Sequence, residues 1–200
     1  FERATASATR TAASPGEFAE WRRQNTVFED LLLVQGRGAL LRVGDKENKI
    51  FGSAVTRNFF SAFNERVLLG RTFLPEEETA GHEHVLVLSH SLWQSQFGGR
   101  NDVLNQQVFL DNQAYTVVGV MSADAIDPFT RRPTFYTPFV APAGAASDFT
   151  SHNLWPAGRL KPGISLAPAQ AEMNVIASRI ARELPDTNKD RGAVVVPLKQ

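Results

Sequence analysis

The chain has 200 residues, of which 42% are apolar and 21% charged, the composition of a folded protein with one large or two small domains. Its 21 basic and 21 acidic residues are interleaved, so neither a nucleic-acid-binding face nor a base-stacking platform is indicated. The lack of cysteine excludes disulfides, thiol nucleophiles and cysteine-ligated zinc. No apolar run approaches the ~20 residues of a membrane span. Because Phe1 is preceded by neither Met nor a signal-peptide pattern, we expect a segment of a longer protein.

After a small, polar lead-in, the sequence predicts a capped helix. Ser14 is placed as the N-cap, Pro15 stands at the first helical position, and Glu17 can close a capping box. Phe18 and Trp21 lie three residues apart and are expected to face the core.

Strand patterns follow over residues 28–55, where apolar stretches are separated by "QGRG" and "GDKEN", both typical of turns. The stretch "RNFFSAFN" predicts a short helix that Asn64 ends in the left-handed conformation. Residues 67–84 are predicted to form a loop.

The middle of the chain predicts a buried strand, a compact helix and a hairpin. The strand is "VLVL"; Ser89 caps the helix after it, Trp93 and Phe97 stack one turn apart, and Gly98 ends the helix. The stretch "QQVFLDNQAYTVVGVM" predicts a hairpin with "DN" as its turn, and "TFYTPF" predicts a further strand.

Residues 153–198 predict a β-α-β unit. An extended "NLWPAGRL" leads to a long helix capped by Ser165, and "AVVVPL" closes as a strand, which implies parallel pairing through a right-handed crossover, directly or around another strand. The predicted apolar face of the helix consists of Leu166, Ala169, Met173, Ile176, Ile180 and Leu184.

The segment "HEHVLVLSHSLW", residues 82–93, is where the chain most resembles an enzyme. His82 and His84 alternate as two metal ligands on a strand would, but no third ligand stands at a spacing typical of a metal site. Ser89 and Ser91 lack the small neighbours of a nucleophile on a strained turn, and no Gly-x-Ser-x-Gly occurs in the chain. We therefore assign no catalytic, cofactor-binding or metal-ligating residue.

Five phrases in order carry a resemblance: "SPGEFAEWRRQNTVFEDL", "VTRNFFSAFNERVLLGRTFLPEEE", "VLVLSHSLWQSQFGG", "QQVFLDNQAYTVVGVM" and "AGRLKPGISLAPAQAEMNVIASRIARELPDTN". Over residues 14–198 the chain resembles the MacB-like periplasmic core domain of FtsX-type ABC transporter permeases. The part "LGRTF…LSHSLWQSQFGG" is similar in particular to duplicated orphan permeases that lack an ATPase. The sequence departs from the family pattern at Asn64, Asn105 and Asn112, which replace glycine, and the first family strand is expected to be a stub at residues 1–5.

The resemblance implies an α+β fold with two subdomains. Residues 1–68 and 150–200 would form a discontinuous α/β porter-like subdomain, and residues 69–149 an inserted, mostly-β sabre-like subdomain. Pro156 indicates an edge strand or a bulge. The positions expected to serve the fold are Ser14, Trp21, Gly70, Arg71, Ser89, Trp93, Phe97, Gly98, Gly119, Gly158, Arg159 and Ser165.

The resemblance also implies a function. The domain would lie on the periplasmic, extracytoplasmic face of the bacterial cytoplasmic membrane and serve export or mechanotransmission, with no chemistry and no cofactor of its own. Its expected partners are the rest of its permease, a periplasmic adaptor or the exported substrate, and an ATPase subunit reached through the permease; nucleic acid is not among them. The alternatives are a serine- or metal-dependent hydrolase centred on residues 82–93 and a freestanding periplasmic ligand-binding module.

Overall fold

The structure, a computed structural model, describes residues 2–4, 10–129 and 133–198; Phe1 and residues 5–9 of the predicted lead-in lie outside them. The first elements in chain order are β1 (Glu2–Ala4), β2 (Arg10–Thr11), α1 (Pro15–Gln24), β3 (Phe28–Val43), β4 (Lys46–Val55), α2 (Phe59–Ala62), β5 (Val67–Gly70), β6 (Val85–Leu88) and α3 (His90–Phe97). The later ones are β7 (Gln107–Leu110), β8 (Gln113–Met121), β9 (Phe135–Pro138), β10 (Trp155–Leu160), α4 (Leu166–Glu183), α5 (Pro185–Asn188) and β11 (Arg191–Ala193). The predicted α+β fold class is confirmed.

Two compact units divide the chain: unit 1 is Phe1–Leu33 with Ala141–Gln200, and unit 2 is Val34–Val140. These boundaries differ from the predicted breaks after residues 68 and 149. Residues 34–68 belong to unit 2 because β4 pairs with the second part of β3 and, in parallel, with β9. Residues 141–149 belong to unit 1, where the Gly16 N–H donates to the Asp148 carbonyl at 2.8 Å. The assignment of porter and sabre characters to the units stays a prediction.

Unit 1 contains a three-stranded antiparallel sheet in the order β11-β1-β2. The predicted parallel pairing of the two C-terminal strands is wrong, because β11 pairs antiparallel with β1 whereas β10 lies beside β3. The family strand expected as a stub is thus formed as β1, and it occupies the position next to β11. The predicted position of the last strand, residues 193–198, is also wrong, because β11 covers Arg191–Ala193 and shares only Ala193 with the prediction. Pro156 lies in β10, a strand at the edge of its sheet, as predicted.

Helix α4 lies where the periodicity predicted it, with a slightly different buried face. Leu166 is exposed and Leu184, which follows the last helical residue, is only partly buried, whereas Ala177, which was not predicted, is buried. The remaining buried residues of the helix agree with the prediction: Ala169, Met173, Ile176 and Ile180.

Unit 2 is built on strands in the order β3-β4-β9-β6-β8-β5, with β7 paired to both β3 and β8. The predicted turn at "QGRG" is wrong: Gly36 and Gly38 pair with Ser53 and Phe51 inside one long hairpin. Glycine suits the position of Gly36 because an added Cβ would lie 3.0 Å from the Phe51 ring. The predicted loop over residues 67–84 likewise contains β5, which pairs with β8.

The left-handed backbone conformations predicted for helix ends and turns in unit 2 are confirmed. Asn64 has φ 54° after α2, Gly98 has φ 63° after α3, and the hairpin turn residues Asp111 and Asn112 have φ 51° and 66°. Strands β6, β8 and β9 and helix α3 enclose a core whose members include Leu86, Leu88, Trp93, Phe97, Val117, Val120 and Phe135. No helix within the described ranges combines the length and the apolar character needed to cross a membrane.

Candidate functional site

The histidines of the 82–93 segment have separate surroundings. His82 is exposed in a loop, the His84 ring packs edge-on against Tyr115 with centroids 5.1 Å apart, and the His90 ring packs against Trp93 at 5.4 Å. Among the residues that the structure describes, no group of three or more His, Cys, Asp or Glu side chains is placed to hold a metal ion. Two of these histidines therefore pack against aromatic rings of unit 2.

The serines of the same segment belong to the start of helix α3. Ser89 Oγ accepts a hydrogen bond from the Leu92 N–H at 3.1 Å, which makes Ser89 the N-cap, as predicted. Ser91 Oγ lies 3.0 Å from Ser89 Oγ. The arrangement satisfies a backbone donor that the first helical turn leaves unpaired.

Gly70, Arg71 and Gly119 lie where β5 approaches β8 closely. An added Cβ on Gly119 would stand 2.2 Å from the Arg71 carbonyl oxygen, and one on Gly70, whose φ is +71°, would stand 2.2 Å from the Val118 carbonyl oxygen. Beyond this contact the Arg71 guanidinium donates to both carboxylate oxygens of buried Glu77, at 2.7 and 3.0 Å. These positions thus fix the path of the chain after β5.

Trp93, Phe97 and Gly98 anchor and end α3. Both aromatic side chains are buried in the core of unit 2, and the Trp93 indole Nε1 donates to the Arg100 carbonyl at 2.8 Å. Gly98 takes the left-handed conformation, and its N–H bonds the Trp93 carbonyl.

In unit 1, Gly158 provides space for its neighbours, since an added Cβ would lie 2.7 Å from atoms of Phe28 and of Leu31. Arg159 is exposed on β10. Ser165 stands at the N-cap of α4 as predicted, but its side chain makes no capping hydrogen bond.

The carboxylate of Glu17, a residue only 2% exposed, accepts hydrogen bonds from three other residues of unit 1. Its Oε2 accepts from the Ser14 N–H at 2.8 Å and from Ser14 Oγ at 2.9 Å, which completes the predicted capping box. Its Oε1 accepts from Asn188 Nδ2 at 2.6 Å and from Arg191 Nε at 3.3 Å, and His152 Nε2 lies 3.5 Å from Oε2. We call these five residues the Glu17 cluster.

The Glu17 cluster joins α1 to the segment of α5 and β11. A carboxylate has about four lone-pair sites, and the four donors from Ser14, Asn188 and Arg191 occupy them. This saturation leaves the carboxylate no capacity to act as a base toward a bound molecule. The arrangement is that of a buried link between distant parts of the chain.

Burial raises the pKa of Glu17 above its ordinary value of 4.5, against the opposing effects of Ser14, the charge of His152 and the amide of Asn188. Burial also lowers the pKa of the Arg191 guanidinium. Because the folded pKa of Glu17 exceeds the unfolded one, the stability contributed by its protonated form is fully present below the unfolded pKa and is lost as the pH rises through the folded pKa.

The capping pair of this cluster was predictable, and the rest was not. Ser14 and Glu17 are three residues apart and form a recognisable helix-start pattern. Asn188 and Arg191 are separated from Glu17 by 171 and 174 residues. Nothing in their local sequence distinguishes them from surface residues.

The family of MacB-like periplasmic core domains matches residues 4–176 of this chain. No curated protein matches it. Among solved structures, a domain assigned to a permease protein of Porphyromonas gingivalis is 15% identical with a TM-score of 0.69, covering 94% of this chain and 84% of that one.

Two further structures have the same fold. The periplasmic region of MacB from Actinobacillus actinomycetemcomitans is 13% identical with a TM-score of 0.66, over 91% of this chain and 78% of that one. The extracellular domain of the ABC-type transporter YknZ from Gram-positive bacteria is 14% identical with a TM-score of 0.66, over 94% and 92%. The fold is thus shared with domains of transporter permeases. Because the family model matches most of the chain, this chain belongs to the family of MacB-like periplasmic core domains.

Proposed function

We propose that this chain is the extracytoplasmic domain of an ABC-type permease and serves export or mechanotransmission through contacts with an adaptor protein or the exported substrate. Family membership supports the periplasmic location and the permease context. The role in transmission is carried by one structural observation, the pairing of β1 with β11.

The two strands run antiparallel with Glu2 opposite Ala193. In an antiparallel pair the start of one strand lies beside the end of the other. The chain therefore enters and leaves unit 1 at one end of the three-stranded sheet. This is the geometry that a domain inserted between two consecutive membrane helices needs, because both connections must reach the same membrane surface.

The Glu17 cluster strengthens this connection. It ties α1, which follows β2, to residues 188–191, which lead into β11. A displacement of the chain before β1 or after β11 would thus move α1 and the outer strands β2 and β11 together. A rigid link of this kind is what transmission of motion from a membrane helix requires.

The location is tested by cysteine labelling in the full-length protein, after replacement of any cysteine outside these 200 residues, which themselves contain none. Ser178→Cys on the exposed face of α4 should react with a membrane-impermeant maleimide in intact cells. Ala177→Cys, next to it and buried, is the matched control and should react only after denaturation. Labelling of Ser178→Cys only after cell lysis would contradict the extracytoplasmic location.

The permease context is tested by the complete reading frame. Apolar segments of about 20 residues are expected shortly before Phe1 and shortly after Gln200. A reading frame without such spans on either side would overturn the proposal.

A further inference from the structure

A small cavity lies in unit 1 where α1, α4, α5 and β11 meet. Its volume is about 10 Å³, and Glu17, Trp21, Ala177, Asn188 and Arg191 are among the residues that line it. A space of roughly 10–15 Å³ on this measure is what one water molecule requires. The cavity thus has room for about one water.

One side chain that lines the cavity has an unused hydrogen-bond donor. Trp21 is 2% exposed, and its indole Nε1 has no acceptor among the described residues. An unpaired buried N–H costs about 1–3 kcal/mol, so an acceptor beside Trp21 would be strongly favoured. The indole of Trp93, by contrast, donates to the Arg100 carbonyl.

The lining also supplies an acceptor. Asn188 Oδ1 accepts from Thr187 Oγ1 at 2.7 Å, and a carbonyl oxygen has a second lone pair for another donor. A water needs two to four polar partners to be held in a protein interior, and Asn188 Oδ1 with the Trp21 indole provides two.

The charges of the lining exclude other small ligands. The Arg191 guanidinium and the Trp21 N–H oppose a cation, and the Glu17 carboxylate opposes an anion. The lining therefore suits water, a neutral molecule of one heavy atom that both donates and accepts hydrogen bonds.

We infer that one ordered water molecule occupies this cavity, accepts a hydrogen bond from Trp21 Nε1 and donates to Asn188 Oδ1. The water extends the Glu17 cluster to Trp21, so that the contact between α1 and the C-terminal segment is completed through solvent. The inference concerns the structure of unit 1 and does not depend on the proposed function.

A crystal structure of this chain at about 1.5 Å resolution tests the inference directly. We expect an electron-density peak within about 2.7–3.2 Å of Trp21 Nε1, with Asn188 Oδ1 as a further partner. Absence of density in the cavity, or a direct hydrogen bond from Nε1 to a rearranged protein side chain, would overturn it.

The same question can be asked in solution with the chain labelled with ¹⁵N at its tryptophan indoles, of which there are three. The Trp21 indole proton should exchange slowly with solvent and still show a dipolar cross-peak to water. Trp93 is the protein-bonded control and should show none, and the partly exposed Trp155 is the exchanging control. A slowly exchanging Trp21 proton without a water cross-peak would refute the inference.

The variant Ala177→Val adds two methyl groups at the cavity wall and should remove the Trp21 water cross-peak while leaving the Trp93 signal unchanged. A cross-peak that persists in the folded variant would show that its source lies elsewhere, which would overturn the assignment. If this variant does not fold, the crystallographic and wild-type measurements still decide.

Discussion

Replacing Gly119 by alanine should destabilise unit 2, because the space beside this residue is filled by backbone. The new Cβ would lie 2.2 Å from the Arg71 carbonyl oxygen, whereas ordinary contact begins at 3.4 Å. The overlap exceeds 1 Å and involves no flexible side chain that could move aside. Strand β5 must therefore separate from β8 near Arg71.

The cost follows from two contributions. Overpacking of this kind costs about 1–3 kcal/mol. The displaced strand also loses the hydrogen bond from the Arg71 N–H to the Val118 carbonyl, now 3.0 Å long, which contributes about 1 kcal/mol. We expect Gly119→Ala to lower the free energy of unfolding by about 2–4 kcal/mol, a large share of the roughly 5–15 kcal/mol of a typical domain.

Gly38→Ala is the matched control. Gly38 lies in β3 of the same unit without a positive φ, and an added Cβ would meet nothing within 4 Å. This substitution should be neutral or raise the stability by about 0.5 kcal/mol, since alanine restricts the unfolded chain.

The assay is equilibrium unfolding in urea followed by tryptophan fluorescence and circular dichroism. With a denaturant slope of about 2 kcal/mol per molar, the midpoint of Gly119→Ala should fall by about 1–2 M. A midpoint equal to that of the wild type, or equal shifts for Gly119→Ala and Gly38→Ala, would refute the steric argument.

Three further predictions use the same unfolding measurement. Ser89→Ala should lower the free energy of unfolding by about 1 kcal/mol, because the hydrogen bond from the Leu92 N–H is lost, whereas Ser165→Ala, at a side chain that makes no capping bond, should lower it by less than about 0.5 kcal/mol. Equal losses would contradict the cap assignment. Loss of an ester-hydrolase activity in Ser89→Ala would favour the enzymatic alternative. The unfolding free energy of the wild type minus that of Glu17→Gln should be larger at about pH 4 than at about pH 7, because the pKa of Glu17 is raised in the folded state; the opposite trend would mean that the cluster lowers this pKa. Asn105 has φ 64°, so Asn105→Gly should raise the free energy of unfolding by about 0.5 kcal/mol and Asn105→Ala should lower it by about 1 kcal/mol. An alanine variant more stable than the wild type would contradict the left-handed backbone.

The parts of the fold that were predicted correctly depend on interactions within a few residues. The Ser14–Glu17 capping box, the Ser89 cap and the left-handed Gly98 each involve groups at most three or four positions from one another or a single backbone angle. Helix α4 was predicted for the same reason, since its apolar repeat reflects one helix turn.

The wrong predictions about the strands concern long-range pairing. "QGRG" has the composition of a turn, but in the structure it is paired with β4 along a hairpin whose length only the register of the two strands decides. The last strand follows a helix, as in a parallel unit, yet it pairs antiparallel with β1 from the other end of the chain.

The sequence by itself determined the start of α1 and of α4, both ends of α3, the hairpin turn, and, through five phrases in order, the family to which the chain belongs. Only the tertiary structure decided that β1 pairs with β11 and that Asn188 and Arg191 meet the Glu17 carboxylate. The physical reason is that capping and turn signals are satisfied by neighbouring residues, whereas strand partners and buried polar contacts are chosen by the packing of segments more than 170 residues apart.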